Sequence, residues 1–305
     1  MKIGLMIEGQ DGLNWPRWQR LARAAEELGF HGLYRSDHLT NPQGPNLDAL
    51  EMFSSQTWLA SQTSRIEFGP IVSPVSFRDP IVTAWTAMAI SDLSGGRFRL
   101  GLGAGWQERE HREFGYELGS LKHRFDRFEE ALQVITLLLR SEEPVSFEGE
   151  FYRMENALLL PRPQATGQPP ITIGGKGPKR TLPLTARYAD EWNGVGITVD
   201  HFKSLNGLLD DLLREEGRPV EAVRRTLMTR VVLGRDQDEV DARRGEASVA
   251  DLRERGAIIG TPPEVREQLR ELAAAGVEVV MLQWLDGLDD LAGIEFLAQA
   301  TIHAG

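Results

Sequence analysis

Short apolar runs alternate with longer amphipathic stretches along the chain. "KIGLMI" (Lys2–Ile7) reads as a first strand. Residues 15–28 carry apolar positions at helical spacing, with Gly29 placed to close the helix. Residues 32–35 read as strand two, 47–62 as a helix and 66–72 as strand three. Asp79 followed by Pro80 marks a helix start, because the carboxylate accepts from free first-turn amides and Pro fits the first turn. That helix runs to Leu93 and is largely apolar, as suits packing on a sheet. "RFRLGLG" is strand four, followed by a polar connection, "WQEREHREFGYELGS", and a helix over 121–139.

The pattern then changes. "PVSFEGEFYRM" predicts a small hairpin turning at 148–150, since aromatic and β-branched residues flank a Gly. "LLLPRPQATGQPP" is a Pro-rich connector within the domain. "ITIGG", "EWNGVGI", "TLMTRVVLG" and "VEVVMLQWL" are strands five to eight, with helices between them. The seventh helix is expected to be broken, and Thr261, Pro262 and Glu264 form a capping box at its second part. Eight consecutive strand–helix units predict α/β class and a closed (β/α)8 TIM barrel, one domain over residues 1–305.

Composition narrows the function. The chain has 305 residues, ordinary for such a barrel with insertions. No apolar run is long enough to cross a bilayer, and the N-terminus lacks signal-peptide features. There is no Cys, which excludes disulfides, thiolate metal sites and Cys nucleophiles and makes a cytoplasmic location the simplest reading. The net charge is −11 with the basic residues scattered among acids, so neither nucleic acid nor a membrane is expected as a partner. No H-E-x-x-H, clustered ligand set or G-x-S-x-G is present, and no metal is expected.

In a barrel of this kind the active site lies at the C-terminal strand ends. Asp37 and His38 end strand two there, one a carboxylate and the other an imidazole. The plainer reading is an Asp capping a turn with a His beside it. Of six His, only His38 is placed for chemistry. His31, His111, His123 and His303 read as surface groups, and His201 begins a helix. Strand three ends "IVSPVSFRDP", and Pro74 must make it bulge or stop. Gly101, Gly103 and Gly105 leave one face of strand four bare, either for a flat group or for tight packing in the barrel. "IGGKGPKRT" opens a helix with Gly174, Gly175, Lys176, Gly177, Lys179 and Arg180. Its free amides and local positive charge predict a phosphate seat, against the alternative of a Gly turn with solvated charges. Trp15, Trp58, Trp106, Trp192 and Trp284 are candidate pocket walls or core.

The segments "AAEELGFHGLYRSDHL", "SRIEFGPIVSPVSFRDP", "SGGRFRLGLGAGWQEREHREFG" and "PPITIGGKGPKRTLPLTARYADEWN" occur in an order that resembles the luciferase-like monooxygenase family, specifically its coenzyme F420-dependent oxidoreductase branch. The resemblance implies a TIM barrel with insertions at the C-terminal face and a flavin-like ring across its mouth. It implies a non-proline cis peptide near Val72 and Ser73 behind the ring. It places His38 beside the ring's reactive edge, with Asp37 orienting the imidazole or binding a cofactor hydroxyl. "GGKGPK" takes the phosphate. Gly103, Gly105, Trp106 and Gln107 lie along the ribityl chain or phosphate. Ala104 stands where sugar-phosphate dehydrogenases of the family carry Glu, which argues against a glucose-6-phosphate-type substrate. The expected activity is hydride transfer between F420 and a small-molecule substrate. The alternatives are an FMN-dependent monooxygenase fed by a partner reductase and a non-catalytic flavin-binding protein. The family and the apolar second and third helices also imply a homodimer.

Overall fold

Eight strand positions, each followed by a helical crossover, close the chain on itself. The computed structural model describes residues 1–163 and 167–303. In chain order the elements are β1 (Lys2–Ile7), α1 (Trp15–Glu27), β2 (Gly32–Arg35), α2 (Met52–Gln62), β3 (Glu67–Pro70), β4 (Ser73–Pro74), α3 (Pro80–Leu93), β5 (Leu100–Gly103), α4 (Glu108–Phe114) and α5 (Leu121–Arg140). They continue with β6 (Val145–Glu148), β7 (Arg153–Ala157), β8 (Ile171–Gly174), α6 (Thr181–Tyr188), β9 (Glu191–Val195), α7 (Val199–Glu215) and β10 (Arg224–Leu233). The last are α8 (Gln237–Arg244), α9 (Val249–Glu254), β11 (Ile258–Gly260), α10 (Pro262–Ala274), β12 (Val279–Gln283) and α11 (Leu291–Thr301).

The barrel strands run parallel in the order β3–β2–β1–β12–β10–β9–β8–β5–β4. β3 and β4 are two halves of one barrel position. The Arg99 amide donates to the Phe68 carbonyl at 2.8 Å and joins β3 to the segment entering β5, closing the ring. β6 and β7 form the antiparallel hairpin outside the barrel.

Several boundaries differ from the sequence reading, for local reasons. Strand three is not continuous over 66–72: its peptide bond between Ile71 and Val72 is cis. That is one bond before the Val72–Ser73 position implied by the family resemblance. α2 starts at Met52, because Ala49 bridges to Leu13 and the Glu51 side chain caps the helix through the Ser54 amide at 2.7 Å. The polar connection after strand four contains α4, ended by Gly115 at φ 74°. The seventh helix is broken into α8, α9 and, after β11, α10, which carries the Thr261–Glu264 capping box; β11 adds to the far end of β10.

Alternation along the strands sorts the interior into layers. At the N-terminal end Glu67 is paired with Arg99 (2.7 Å) and Arg224 (2.8 Å), and Arg224 also faces Glu191 at 3.5 Å. Above it the Tyr34 ring fills the space beside Gly4 and Gly32, where an added Cβ would lie 2.8 and 2.6 Å from ring carbons. Met6, Ile71, Val279 and Met281 pack with Tyr34, and the half-buried Val72 and Met228 cover them on the mouth side. Outside the barrel one continuous apolar core joins strands to helices, with Trp18, Phe30, Phe68, Phe128, Trp192 and Phe202 buried.

Candidate active site

The end of β2 delivers His38 to the mouth with one ring nitrogen occupied. Nδ1 lies 2.9 Å from Oε1 of Glu110 on α4, and Oε2 of that carboxylate accepts the Leu39 amide at 2.9 Å. Glu110 is 1% exposed, so both oxygens are spent inside the protein, while the His38 side chain is 17% exposed. An ionised carboxylate only accepts, so Nδ1 carries the proton and Nε2 is the nitrogen left for a ligand. No protein partner meets Nε2 among the described residues. Burial acts against the charged ring. The hydrogen bond and charge of Glu110, with the charges of Glu8 and Asp37, outweigh it and raise the His38 pKa above 6.5. The Trp106 indole stands edge-on to the imidazole, with centroids 5.5 Å apart.

Asp37 does not orient the imidazole, contrary to one of the sequence expectations. It is buried and accepts from Ser73 Oγ at 2.7 Å and Arg78 Nη1 at 2.5 Å. Arg78 also reaches Glu51 at 2.8 Å and lies over the Phe53 ring. The group ties the first residue of β4 to the loop after β2, and so sets the wall on which Val72 and Ser73 sit.

The bare face of strand four is filled by protein. A Cβ on Gly103 would lie 2.6 Å from Val72 Cγ2, one on Gly174 2.7 Å from Val72 Cγ1, and one on Gly101 1.9 Å from the Pro70 carbonyl oxygen. The glycines therefore admit the Val72 side chain, and Val72 is what the mouth presents. Gly105 has φ 84° and packs against Ser76, Pro74 and His111. Gln107 is buried: its Nε2 donates to the Thr40 carbonyl at 2.7 Å, and its Oε1 has no partner among the described residues.

At the end of β8 the Gly175 amide is used by the Asn193 carbonyl. The amides of Lys176, Gly177, Lys179 and Arg180 meet no acceptor among the described residues. Lys176 and Lys179 are exposed beside them, and Arg180 pairs with Asp126 at 3.1 Å. Of the tryptophans, Trp106 is exposed at the mouth. Trp192 and Trp284 are core, and Trp15 and Trp58 pack edge-on to each other.

His111 is also not a surface group. It is 2% exposed, with Nε2 2.7 Å from Ser76 Oγ and Nδ1 2.7 Å from the Gln107 carbonyl. His31 is partly buried beside Glu67 and Arg224. Sequence reasoning missed Glu110, because "QEREHREFG" reads as solvated charge. Its signal is spacing: Gln107, Glu110 and His111 stand at i, i+3 and i+4, and all three are buried.

A family model described as luciferase-like monooxygenase matches residues 2–254. The chain belongs to this family. F420-dependent hydroxymycolic acid dehydrogenase from Mycobacterium tuberculosis is 28% identical over 287 residues, 93% of this chain and 75% of that protein. F420-dependent glucose-6-phosphate dehydrogenase from Kineococcus radiotolerans is 29% identical over 289 residues, 92% of this chain and 82% of that protein. An F420-dependent secondary alcohol dehydrogenase, solved with an F420–acetone adduct, has the same fold. Its TM-score is 0.84 at 19% identity, covering 98% of this chain and 97% of that one.

Proposed function

We propose that this luciferase-like protein is an F420-dependent oxidoreductase that moves a hydride between the deazaflavin and a small organic substrate at the barrel mouth. Two relatives of nearly full coverage are named F420-dependent dehydrogenases, which supports both the cofactor and the reaction class. The observation that carries the reading is the His38–Glu110 pair, a held imidazole with Nε2 free at the mouth.

The residues present fit a cofactor with a flat ring and a phosphate. The free amides at 176–180 with Lys176 and Lys179 suit the phosphate. Half-buried Val72, with Ser73 and Gly103 around it, offers an apolar seat for a ring face, and Gly174, Gly175 and Gly177 let the backbone come close. Gly105, Trp106 and the unpartnered Oε1 of Gln107 lie on the side where a ribityl chain would pass. Bound there, F420 supplies two-electron hydride chemistry.

The protein's part is proton handling and positioning. Nε2 of neutral His38 takes the proton of a substrate hydroxyl as the carbonyl forms, and the imidazolium returns it in the reverse direction. Glu110 holds the ring and stabilises the imidazolium. Trp106 limits water at the imidazole. Asp37 acts through Ser73 and Arg78 on the wall of the site.

Fluorescence titration of the protein with F420 and, in parallel, FMN tests the reading. Tight F420 binding with loss of turnover, but not of binding, in His38→Ala is the expected result. Tight binding of FMN alone, with O2 uptake in the presence of a flavin reductase, would move the protein to the monooxygenase class. F420 binding without turnover of any acceptor would make it a cofactor carrier.

A further inference from the structure

Arg230 is the one arginine among the described residues that is not exposed and yet has neither an ion pair nor a hydrogen bond to protein. Its Nε is fully buried without an acceptor. Arg99, Arg124, Arg127 and Arg162 also have a buried Nε without an acceptor, but each meets an oxygen through another nitrogen, and Arg78, Arg224, Arg225 and Arg35 are paired with carboxylate, carbonyl or hydroxyl oxygens. A half-buried guanidinium whose Nε is buried and which has no protein partner keeps its other N–H groups for water or a ligand.

Strand alternation gives its direction. On β10 the residues at 224, 226 and 228 face the interior: Arg224 in the ion cluster, Thr226 bonded to Asn193, and Met228 on the Met6–Met281 cluster. Arg230 is the next on that face and the first above the apolar floor. Its register neighbour on β12 is Gln283, whose Nε2 reaches Glu8 Oε1 at 2.5 Å; Gln10 holds the other oxygen of Glu8 at 2.9 Å. Around the mouth the order is thus His38 after β2, Glu8 after β1, Gln283 on β12 and Arg230 on β10. The phosphate seat, Gly103 and Val72 occupy the opposite arc, on β8, β5 and the β3–β4 position.

We propose that Arg230 binds a carboxylate of the substrate, so that the substrate is a hydroxy or oxo acid whose carboxylate stands several bonds from the reacting carbon. This rests on the oxidoreductase reading above. His38 and Arg230 are three strand spacings apart, roughly 14 Å along the wall, and side chains reaching inward from both shorten that gap. A guanidinium matches a carboxylate in two parallel hydrogen bonds. One positive charge balances one negative charge. With Glu8 on the same arc held only by neutral amides, a monoanionic carboxylate adds less negative charge there than a phosphate dianion would.

Calorimetric titration of F420-loaded protein with 4-hydroxypentanoate and with 4-hydroxypentanamide, alike in shape and different in charge, tests this. The acid is expected to bind about tenfold or more tightly than the amide. Arg230→Met should erase the preference by weakening the acid alone, and Arg230→Lys should keep part of it. The affinity for F420 should not change, and the Tm of Arg230→Met should not fall, since no protein partner is lost. Equal binding of acid and amide, or no binding of the acid, overturns the proposal. Weaker F420 binding in Arg230→Met with the acid unaffected overturns it in favour of the cofactor. Tighter binding of 4-hydroxypentyl phosphate than of the acid overturns the carboxylate assignment. If the wild type does not bind F420, the oxidoreductase reading is what fails, and the acid–amide contrast is then read on the cofactor-free protein.

Discussion

Nδ1 of His38 lies 2.9 Å from Oε1 of Glu110, a residue 72 positions away, and the other oxygen of that carboxylate is taken by the Leu39 amide. One carboxylate thus fixes both the imidazole and the backbone that carries it. The contact fixes the imidazole in one orientation and tautomer, because only a protonated Nδ1 satisfies Glu110.

Glu110→Gln tests that coupling. The amide oxygen can still accept from Leu39, so the fold should survive, while the charge that favours the imidazolium is gone. Turnover should fall about ten- to a hundredfold, on the scale of partners that orient a metal-bound histidine. The His38 pKa is raised in the wild type, so its limb in the pH–rate profile should move down towards about 6.5 in the variant. F420 affinity should stay. An unmoved limb would mean that Glu110 only props up the loop.

The ion cluster at the closed end of the barrel makes a separate prediction about acid stability. Burial opposes ionisation of Glu67, yet its bond to His31, its bond to Arg99, and the charges of Arg99 and Arg224 hold its carboxyl far below the usual value of 4.5. Glu191 goes the other way: burial raises it, and the charges of Arg224 and Arg99 offset this only in part. A depressed carboxylate stabilises the fold above its unfolded pKa, and this is lost as pH falls through the folded value. Glu67→Gln leaves Arg99 and Arg224 enclosed with less charge to face, and should cost about 3–5 kcal/mol in urea unfolding at neutral pH. The gap to wild type should narrow as pH drops below 4.5. A gap that does not depend on pH would show that packing, not charge, makes the cluster matter.

The phosphate seat proposed at 176–180 predicts a salt effect. Lys176 and Lys179 are exposed and make no ion pair among the described residues, so their pull on an anion is screened by salt. The double variant Lys176→Ala, Lys179→Ala should weaken F420 about tenfold at low salt and flatten the dependence of affinity on ionic strength. Free riboflavin-type rings without phosphate should bind wild type and variant alike. If the variant keeps full salt dependence, the phosphate lies elsewhere.

Much of this was legible from the chain. The strand–helix alternation, the Asp79–Pro80 and Thr261–Glu264 helix starts, the hairpin, and the position of His38 follow from local patterns that tertiary structure left intact. What was hidden is what depends on pairs far apart in sequence. Glu110 and Arg230 look like ordinary charges in polar or alternating segments, and only closure of the barrel shows that one is paired and the other is not. The glycines of strand four were visible, but what fills them was not. Val72 comes from the link between β3 and β4, and no period in "LGLGAG" points to it.

That last relation gives the sharpest test of the mouth's construction. A Cβ at Gly103 would stand 2.6 Å from Val72 Cγ2, a distance the packed wall cannot accept without a shift. Gly103→Ala alone should therefore destabilise by about 1–3 kcal/mol, as overpacking does. It should also weaken F420, because Val72 is pushed towards the place proposed for the ring. Val72→Ala removes both methyl groups that occupy the glycine hollows, and so makes room for the new methyl. The double variant should recover part of the loss, with a coupling of about 0.5–3 kcal/mol in denaturant unfolding. Recovery of stability without recovery of F420 affinity would fit a Val72 side chain that itself supports the ring. Strict additivity in stability would mean that the two residues do not share the space, and that the bare face of β5 is open to ligand after all.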